Sequence, residues 1–253
     1  MSADAVDLAG ERLVELLTTF KLPSAAAQIL PRLVDAGHES TLEVLAEIFE
    51  VEQEDRWQRR VQRRLRASKL PPGKSFDTFD EARLPRPLAR SVRELRSGAF
   101  LERAANVLAF GLPGTGKTHV ACALGHALIE AGHSVLFLPT YKLIQDLLAA
   151  KRELELPRAL RKLDNFELLI LDDIGYVQQA AEEVEVLFTL MAERYERRSM
   201  LITSNLVFSE WDQIFKNPMT TAAAIDRLVH HSVILEFDVT SYRAQGAQER
   251  TSR

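Results

Sequence analysis

Over the first seventy residues apolar positions recur at helical spacing, and the periodicity breaks at Leu22-Pro23 and at Gly37. The pattern predicts a small all-helical module. Ser40 followed by Glu43 fits a capping box, and Leu42, Leu45, Ile48 and Phe49 then line one apolar face, so a helix starts near Thr41. Farther on, Trp57, Val61 and Leu65 form a separate apolar stripe. Arg56, Arg59, Arg60, Arg63, Arg64 and Arg66 share an arc of roughly 160° at about 100° per residue. In an unbroken helix the early apolar face would line up with this arginine face. Either a break near residues 50–55 or two different packing partners is required.

Leu70-Pro71-Pro72-Gly73 cannot continue a helix and closes the module. From residue 104 the pattern changes to short apolar runs: Val107 to Phe110, Val135 to Leu138, Leu168 to Leu171, Met200 to Thr203 and Val233 to Phe237. Such runs, separated by helical stretches, predict five strands of a parallel sheet covered on both faces, an α/β fold.

Composition narrows the class. Of 253 residues, 46% are hydrophobic and 27% charged, and no apolar run approaches the ~20 residues of a membrane span. The start, MSADAVDLAGERL, has neither the basic opening nor the apolar core of a secretion signal, which points to a cytoplasmic protein with no membrane contact. Cys122, the single cysteine, excludes an intramolecular disulfide and a multi-cysteine zinc site, and the six histidines show no ligand spacing. The net charge of −4 divides into −9 over residues 1–55, +9 over 56–103 and −4 over 104–253. A basic island in an acidic chain argues for a local polyanion contact.

Gly111-Leu112-Pro113-Gly114-Thr115-Gly116-Lys117-Thr118 matches G-x-x-x-x-G-K-[ST] between a predicted strand and a helical run from His119 to Ala131, the context of a P-loop. Its backbone amides and helix N-terminus suit phosphate oxygens, Lys117 the β/γ charge, and Thr118 a Mg²⁺ ion. The apolar run Leu168 to Leu171 ends in Asp172-Asp173. Asp172 suits the magnesium shell and Asp173 the attacking water, a pairing that suggests hydrolysis. Asn205 follows the next strand and could hold that water, although alone it would be a turn residue. Arg227 lies in the helical stretch Ala222 to Val229, where an isolated arginine would be a surface residue. Cys122 reads as buried packing, and His230 and His231 as structural or surface residues.

Together these features resemble the AAA+ ATPases. Arg59-Arg60-Val61-Gln62-Arg63-Arg64-Leu65, Ser75-Phe76-Asp77-Thr78-Phe79-Asp80, Thr203-Ser204-Asn205-Leu206 and Ala224-Ile225-Asp226-Arg227-Leu228-Val229-His230-His231 are similar to the IstB-like branch, ATPases that help insertion-sequence transposases. The resemblance spans nearly the whole chain. It implies a Walker A loop at Gly111 to Thr118, a Walker B pair at Asp172 and Asp173, sensor 1 at Asn205 and an arginine finger at Arg227. It also implies ATP and Mg²⁺ as cofactors, ATP hydrolysis, largely sequence-independent duplex DNA as partner, a homo-oligomer with ATP sites at subunit interfaces, and a partner transposase. Many AAA+ proteins carry Glu at the position of Asp173, so the shorter acid points to hydrolysis that is slow without DNA or partner. Sixteen residues follow Phe237, too few for the helical lid of most AAA+ proteins, and Arg243 has no assigned role.

The expected organisation is an N-terminal helical module over 1–70 for DNA, assembly or partner contact, a basic linker over 71–103, an AAA+ domain over 104–243 and a flexible tail over 244–253. A DnaC-like replicative helicase loader is the alternative within this class, and the arginine-rich helix running into Ser68-Lys69-Leu70-Pro71 favours the transposition helper. A small-molecule kinase leaves Asn205, Arg227 and the basic module unexplained. A nucleotide switch without hydrolysis leaves Asp173 and Asn205 without a task.

Overall fold

The computed structural model describes residues 3–176, 180–215, 218–230, 232–239 and 241; His231, Arg243 and the tail expected over 244–253 lie outside the described residues. The chain forms two compact units, Met1–Arg63 and Arg64–Arg253.

The first unit holds α1 (Ala3–Thr19), α2 (Pro23–Asp35) and most of α3 (Ser40–Ser68). Both breaks fall at the predicted positions. Pro23 opens α2, where its missing N–H costs nothing, and Gly37 takes a φ of 71° in the turn before α3. Leu13 and Leu17 of α1 pack with Leu42 and Ala46 of α3, flanked by Ile29, Leu30 and Phe49. α3 is continuous, so of the two sequence alternatives the break near residues 50–55 is excluded. Its buried positions instead step around the helix, from Leu42 and Ala46 to Val61 and Ser68, a rotation of about 70°.

Two expectations for the boundary are corrected. The unit boundary lies inside α3 rather than at residue 70, and residues 71–103 are not a linker. After Gly73 the chain forms short 3-10 turns at Phe76–Thr78 and Glu81–Arg83, then α4 (Arg86–Leu95) and α5 (Ala99–Glu102). α4 buries Leu88, Ala89, Val92 and Leu95 and packs against α6 (Lys117–Glu130) and β5 (Ser232–Phe237). The excess of arginine conceals this apolar face, which ties the segment to the second unit.

The five apolar runs are strands, each a residue or two longer than its apolar stretch. These are β1 (Asn106–Gly111), β2 (Val135–Pro139), β3 (Leu168–Asp172), β4 (Ser199–Ser204) and the last strand, β5. All neighbours pair parallel, in the order β2-β3-β4-β1-β5. On one face Leu108, Leu169, Leu171 and Ile202 form a core with α7 (Thr140–Arg152), α9 (Ala181–Arg194) and α11 (Pro218–Val229). α6 runs over the other face, in contact with β1 to β4. The remaining helices are α8 (Leu156–Leu163) and α10 (Asp212–Phe215). No helix among the described residues is long and apolar enough to cross a membrane.

Candidate nucleotide-binding site

β1, β3 and β4 end side by side, with Phe110 level with Ser204 and Leu171 level with Ile202. In open parallel sheets ligands bind at such strand ends. The loop from Gly111 leads into α6, capped by Gly116 at a φ of 100° that a side chain would strain. Gly111 is required for space, since a Cβ there would stand 2.7 Å from the Phe237 carbonyl oxygen. Lys117 lies along the loop and donates from Nζ to the carbonyls of Gly111 at 2.6 Å and Leu112 at 2.9 Å. Thr115 Oγ1 closes the turn on the Leu112 carbonyl at 2.8 Å.

Opposite the loop, Asp172 Oδ1 accepts from Thr118 Oγ1 at 2.8 Å and from Thr203 Oγ1 at 2.7 Å. Thr203 Oγ1 also accepts the Asp173 N–H at 2.8 Å, so one hydroxyl on β4 holds both acids of β3. The buried Thr140 donates to the Asp172 carbonyl at 2.9 Å. Asp173 has a left-handed backbone, φ 60°, and a buried Oδ1 with no hydrogen-bond partner among the described residues. Burial first, and then the charge of Asp172, push its carboxyl above the ordinary aspartate range, while Lys117 partly offsets them. Asn205 Oδ1 is likewise buried and unpartnered among the described residues. It comes so close to Gly175 that a Cβ there would lie 2.1 Å from it.

Sequence reasoning missed Thr203, Thr140 and an entire wall. Lys74, Thr78, Phe79, Asp80 and Arg83 face Gly114, Gly116, Lys117, Thr118 and His119 across a cavity of about 370 Å³. That is within the range of small-ligand sites. His119 Nε2 pins this wall to α6 through the Ser75 carbonyl at 3.0 Å and Thr78 Oγ1 at 3.2 Å, and its ring lies 5.0 Å from that of Phe79. The signal was present in Ser75 to Asp80, but the surrounding charge made the stretch look like a linker. Cys122 is fully buried, and burial pushes its thiol up to about 12, as a packing residue requires.

Arg227 sits in α11 as expected, with its guanidinium 4.5 Å from the centre of the Phe188 ring on α9 and Nη1 buried without a hydrogen-bond partner among the described residues. The six arginines of α3 differ from one another. Arg56 is bound to Glu52 at 2.6 Å and lies 4.3 Å over the Phe20 ring, and Arg59 reaches the Asp55 carbonyl at 3.1 Å and Glu52 at 3.4 Å. Arg64 donates to the Gly132 carbonyl, past the end of α6. Arg60, Arg63 and Arg66 remain exposed on the arc.

The family profile of IstB-like ATP binding proteins matches residues 15–250. A relative in Sinorhizobium fredii (strain NBRC 101917 / NGR234), named as an insertion sequence ATP-binding protein, is 48% identical over 206 residues, covering 81% of this chain and 69% of its own length. The protein named as the insertion sequence IS5376 ATP-binding protein of Geobacillus stearothermophilus is 34% identical over 92% of this chain and 94% of its own. Among solved structures, AMPPCP-bound DnaA from Aquifex aeolicus superposes with a TM-score of 0.57 at 16% identity, over 73% of this chain and 56% of its own. The DnaC helicase loader does so with a TM-score of 0.57 at 18% identity, over 67% and 98%. Those two share the fold, an AAA+ P-loop architecture, and by its match over most of its length the chain belongs to the IstB-like ATP-binding protein family.

Proposed function

We propose that the chain binds and hydrolyses ATP, assembles with its ATP sites at subunit interfaces, holds duplex DNA, and recruits or stimulates a transposase. The observation that carries the reading is the hydrogen-bonded series that ties Thr118, at the end of the P-loop, to Asp172, Thr203 and Asp173 on the neighbouring strands β3 and β4. Phosphoryl transfer needs positioned charge more than covalent chemistry, and this series supplies it. The amides of Gly114 to Lys117 and the Lys117 ammonium hold the β/γ phosphates. A Thr hydroxyl beside a carboxylate is a hard oxygen donor set, so Thr118 and Asp172 fit Mg²⁺, which supplies charge neutralisation at the phosphate oxygens when bound. Asp173 orients the attacking water and takes its proton at the unpartnered Oδ1, and its raised proton affinity suits a general base. Asn205 fixes that water from the neighbouring strand.

Arg227 completes the site of an adjacent protomer by leaving the Phe188 ring, an exchange of one cation contact for a stronger one. An arginine supplied in trans is worth roughly 10³ to 10⁵ in rate. Arg227→Ala should therefore bind ATP normally and hydrolyse it poorly, and mixing it with Lys117→Ala protein should restore some activity. Co-assembly without recovery overturns the trans role.

The insertion-sequence names of the relatives favour a transposition helper over a replicative loader, and a neighbouring transposase gene is the simplest check. The biochemical test is phosphate release with and without duplex DNA, alongside sizing with ATP. DNA-stimulated release from a larger species supports the reading. ATP binding without release under any condition would make the protein a nucleotide switch instead.

A further inference from the structure

α4 carries two kinds of arginine. Arg96, just past its end, turns inward: its guanidinium stacks 3.5 Å over the Phe76 ring and pairs with Glu81, fastening the helix to the segment that walls the nucleotide cavity. Arg86, Arg90 and Arg93 are exposed, away from the buried Leu88, Val92 and Leu95. Their spacing of four and three residues places all three on one side of the helix. Arg90 meets Glu94 at 2.9 Å, an exposed pair of little strength, while Arg86 and Arg93 form no ion pair among the described residues.

Like charges at this spacing repel one another along the helix, a cost that an external anion removes. Three guanidiniums over a rise of about 10 Å span about three steps of one duplex strand, whose phosphates advance about 3.4 Å each along the axis, so each can reach a separate phosphate. Arginine reaches such oxygens in bidentate fashion with no need to read a base. We infer that the outer side of α4 is a docking surface for the phosphate backbone of duplex DNA, built on the ATPase unit itself and fastened by Arg96 to the wall of the nucleotide cavity. It is separate from the α3 arginines, of which Arg56, Arg59 and Arg64 are engaged by groups of the chain. The inference rests on the DNA-binding reading above.

The test measures binding of a fluorescently labelled mixed-sequence duplex against salt concentration, in the full chain with ATP. Each phosphate left without its arginine should remove about 0.9 from the slope of log K against log salt, so the triple variant R86Q/R90Q/R93Q should lose up to about 2.7. R86Q and R93Q singly should each lose about 0.9, which keeps the test sound should the triple variant melt early. Replacement of all three by lysine should retain most of the slope. A wild-type slope in the triple variant overturns the inference while leaving DNA binding intact, and R60Q/R63Q/R66Q then reports whether α3 holds the duplex. Failure of the unaltered protein to bind any duplex overturns both readings. Binding of polyglutamate in place of duplex, lost in the triple variant, would assign the surface to an acidic protein segment and overturn the DNA assignment.

Discussion

The two ends of the central sheet are built from the same strands, yet they differ in how they treat the carboxylate and amide side chains placed there. At the end where the strands begin, Asn106 gives its amide to the Leu228 carbonyl at 3.2 Å and takes the Met200 N–H at 2.9 Å. The fully buried Arg194 donates to the carbonyls of Leu163, Phe166, Glu167 and Ser199. Glu167 accepts from Ser134 N–H at 2.8 Å and Oγ at 2.9 Å and pairs with His133 at 3.0 Å. Where the strands finish, the acceptors Asp173 Oδ1 and Asn205 Oδ1 find no partner among the described residues. Burial pushes both carboxyls up, but the contacts from His133 and Ser134 bring Glu167 below its ordinary value, whereas Asp172 drives Asp173 further above. The first end is not wholly satisfied, since Ser199 Oγ, Ser232 Oγ and Arg194 Nε also lack partners among the described residues, but its carboxylate and amide oxygens are engaged. Those of the other end are left available to a ligand.

The contrast is broken most severely by Asp173→Asn. Loss of a general base costs about 10² to 10⁴ in rate, so turnover should collapse while ATP still binds. Because the native state holds this proton more tightly than the unfolded chain does, ionisation of Asp173 costs stability as pH rises through its folded value. The same variant should therefore melt slightly higher at neutral pH. Wild-type turnover in it would remove Asp173 from the chemistry. At the other end, Arg194→Met removes four buried hydrogen bonds to carbonyls, of which those of Leu163 and Glu167 keep a backbone donor, and should cost about 3 kcal/mol in denaturant unfolding, with ATP affinity near normal wherever the protein remains folded.

Thr203→Val sharpens the comparison within the chemical end. Removing the hydroxyl takes a hydrogen bond from the Asp172 carboxylate and the acceptor from the Asp173 N–H, which should lower kcat about tenfold with little change in KM, and Thr203→Ser should restore it. Unaltered kcat in the valine variant would reduce Thr203 to packing. The smallest effect belongs to Glu167→Gln. Its lowered proton affinity means that it stabilises the fold above the ordinary glutamate range, a contribution that disappears as pH falls through the folded value. The variant should be modestly destabilised at neutral pH and match the wild type in acid, as thermal melts across pH would reveal.

Features that are continuous in the chain are legible in the sequence itself. The strands β1 to β4 read as near-continuous apolar runs because both faces of the sheet are covered there, whereas β5, at the edge, exposes Ile234 and Glu236; the P-loop and its two acids are local motifs. Relations across strands are not legible in this way. Thr203 matters because β4 lies beside β3, a neighbour relation that local periodicity does not encode. Arg194 resembles any arginine in the last turn of a helix until packing encloses it. Arg227 is in the expected element, but its stacking on Phe188 depends on how α9 and α11 meet. Residues 71–103 read as a linker because Pro71-Pro72-Gly73 and an excess of arginine obscure the apolar side of α4.

The strand order also sets a schedule for synthesis. β1, which leads into the P-loop, has no partner among the strands that follow it closely; its neighbours are β4 and β5, beginning at residues 199 and 232. At about 5 to 20 residues per second a ribosome takes several seconds or more to proceed from β1 to β4. During that interval the phosphate-binding turn is tethered to an unpaired, largely apolar strand. A nascent or prematurely ended chain therefore has no sheet on which to seat the loop, and nucleotide capture becomes a property of chains translated past β4 and β5.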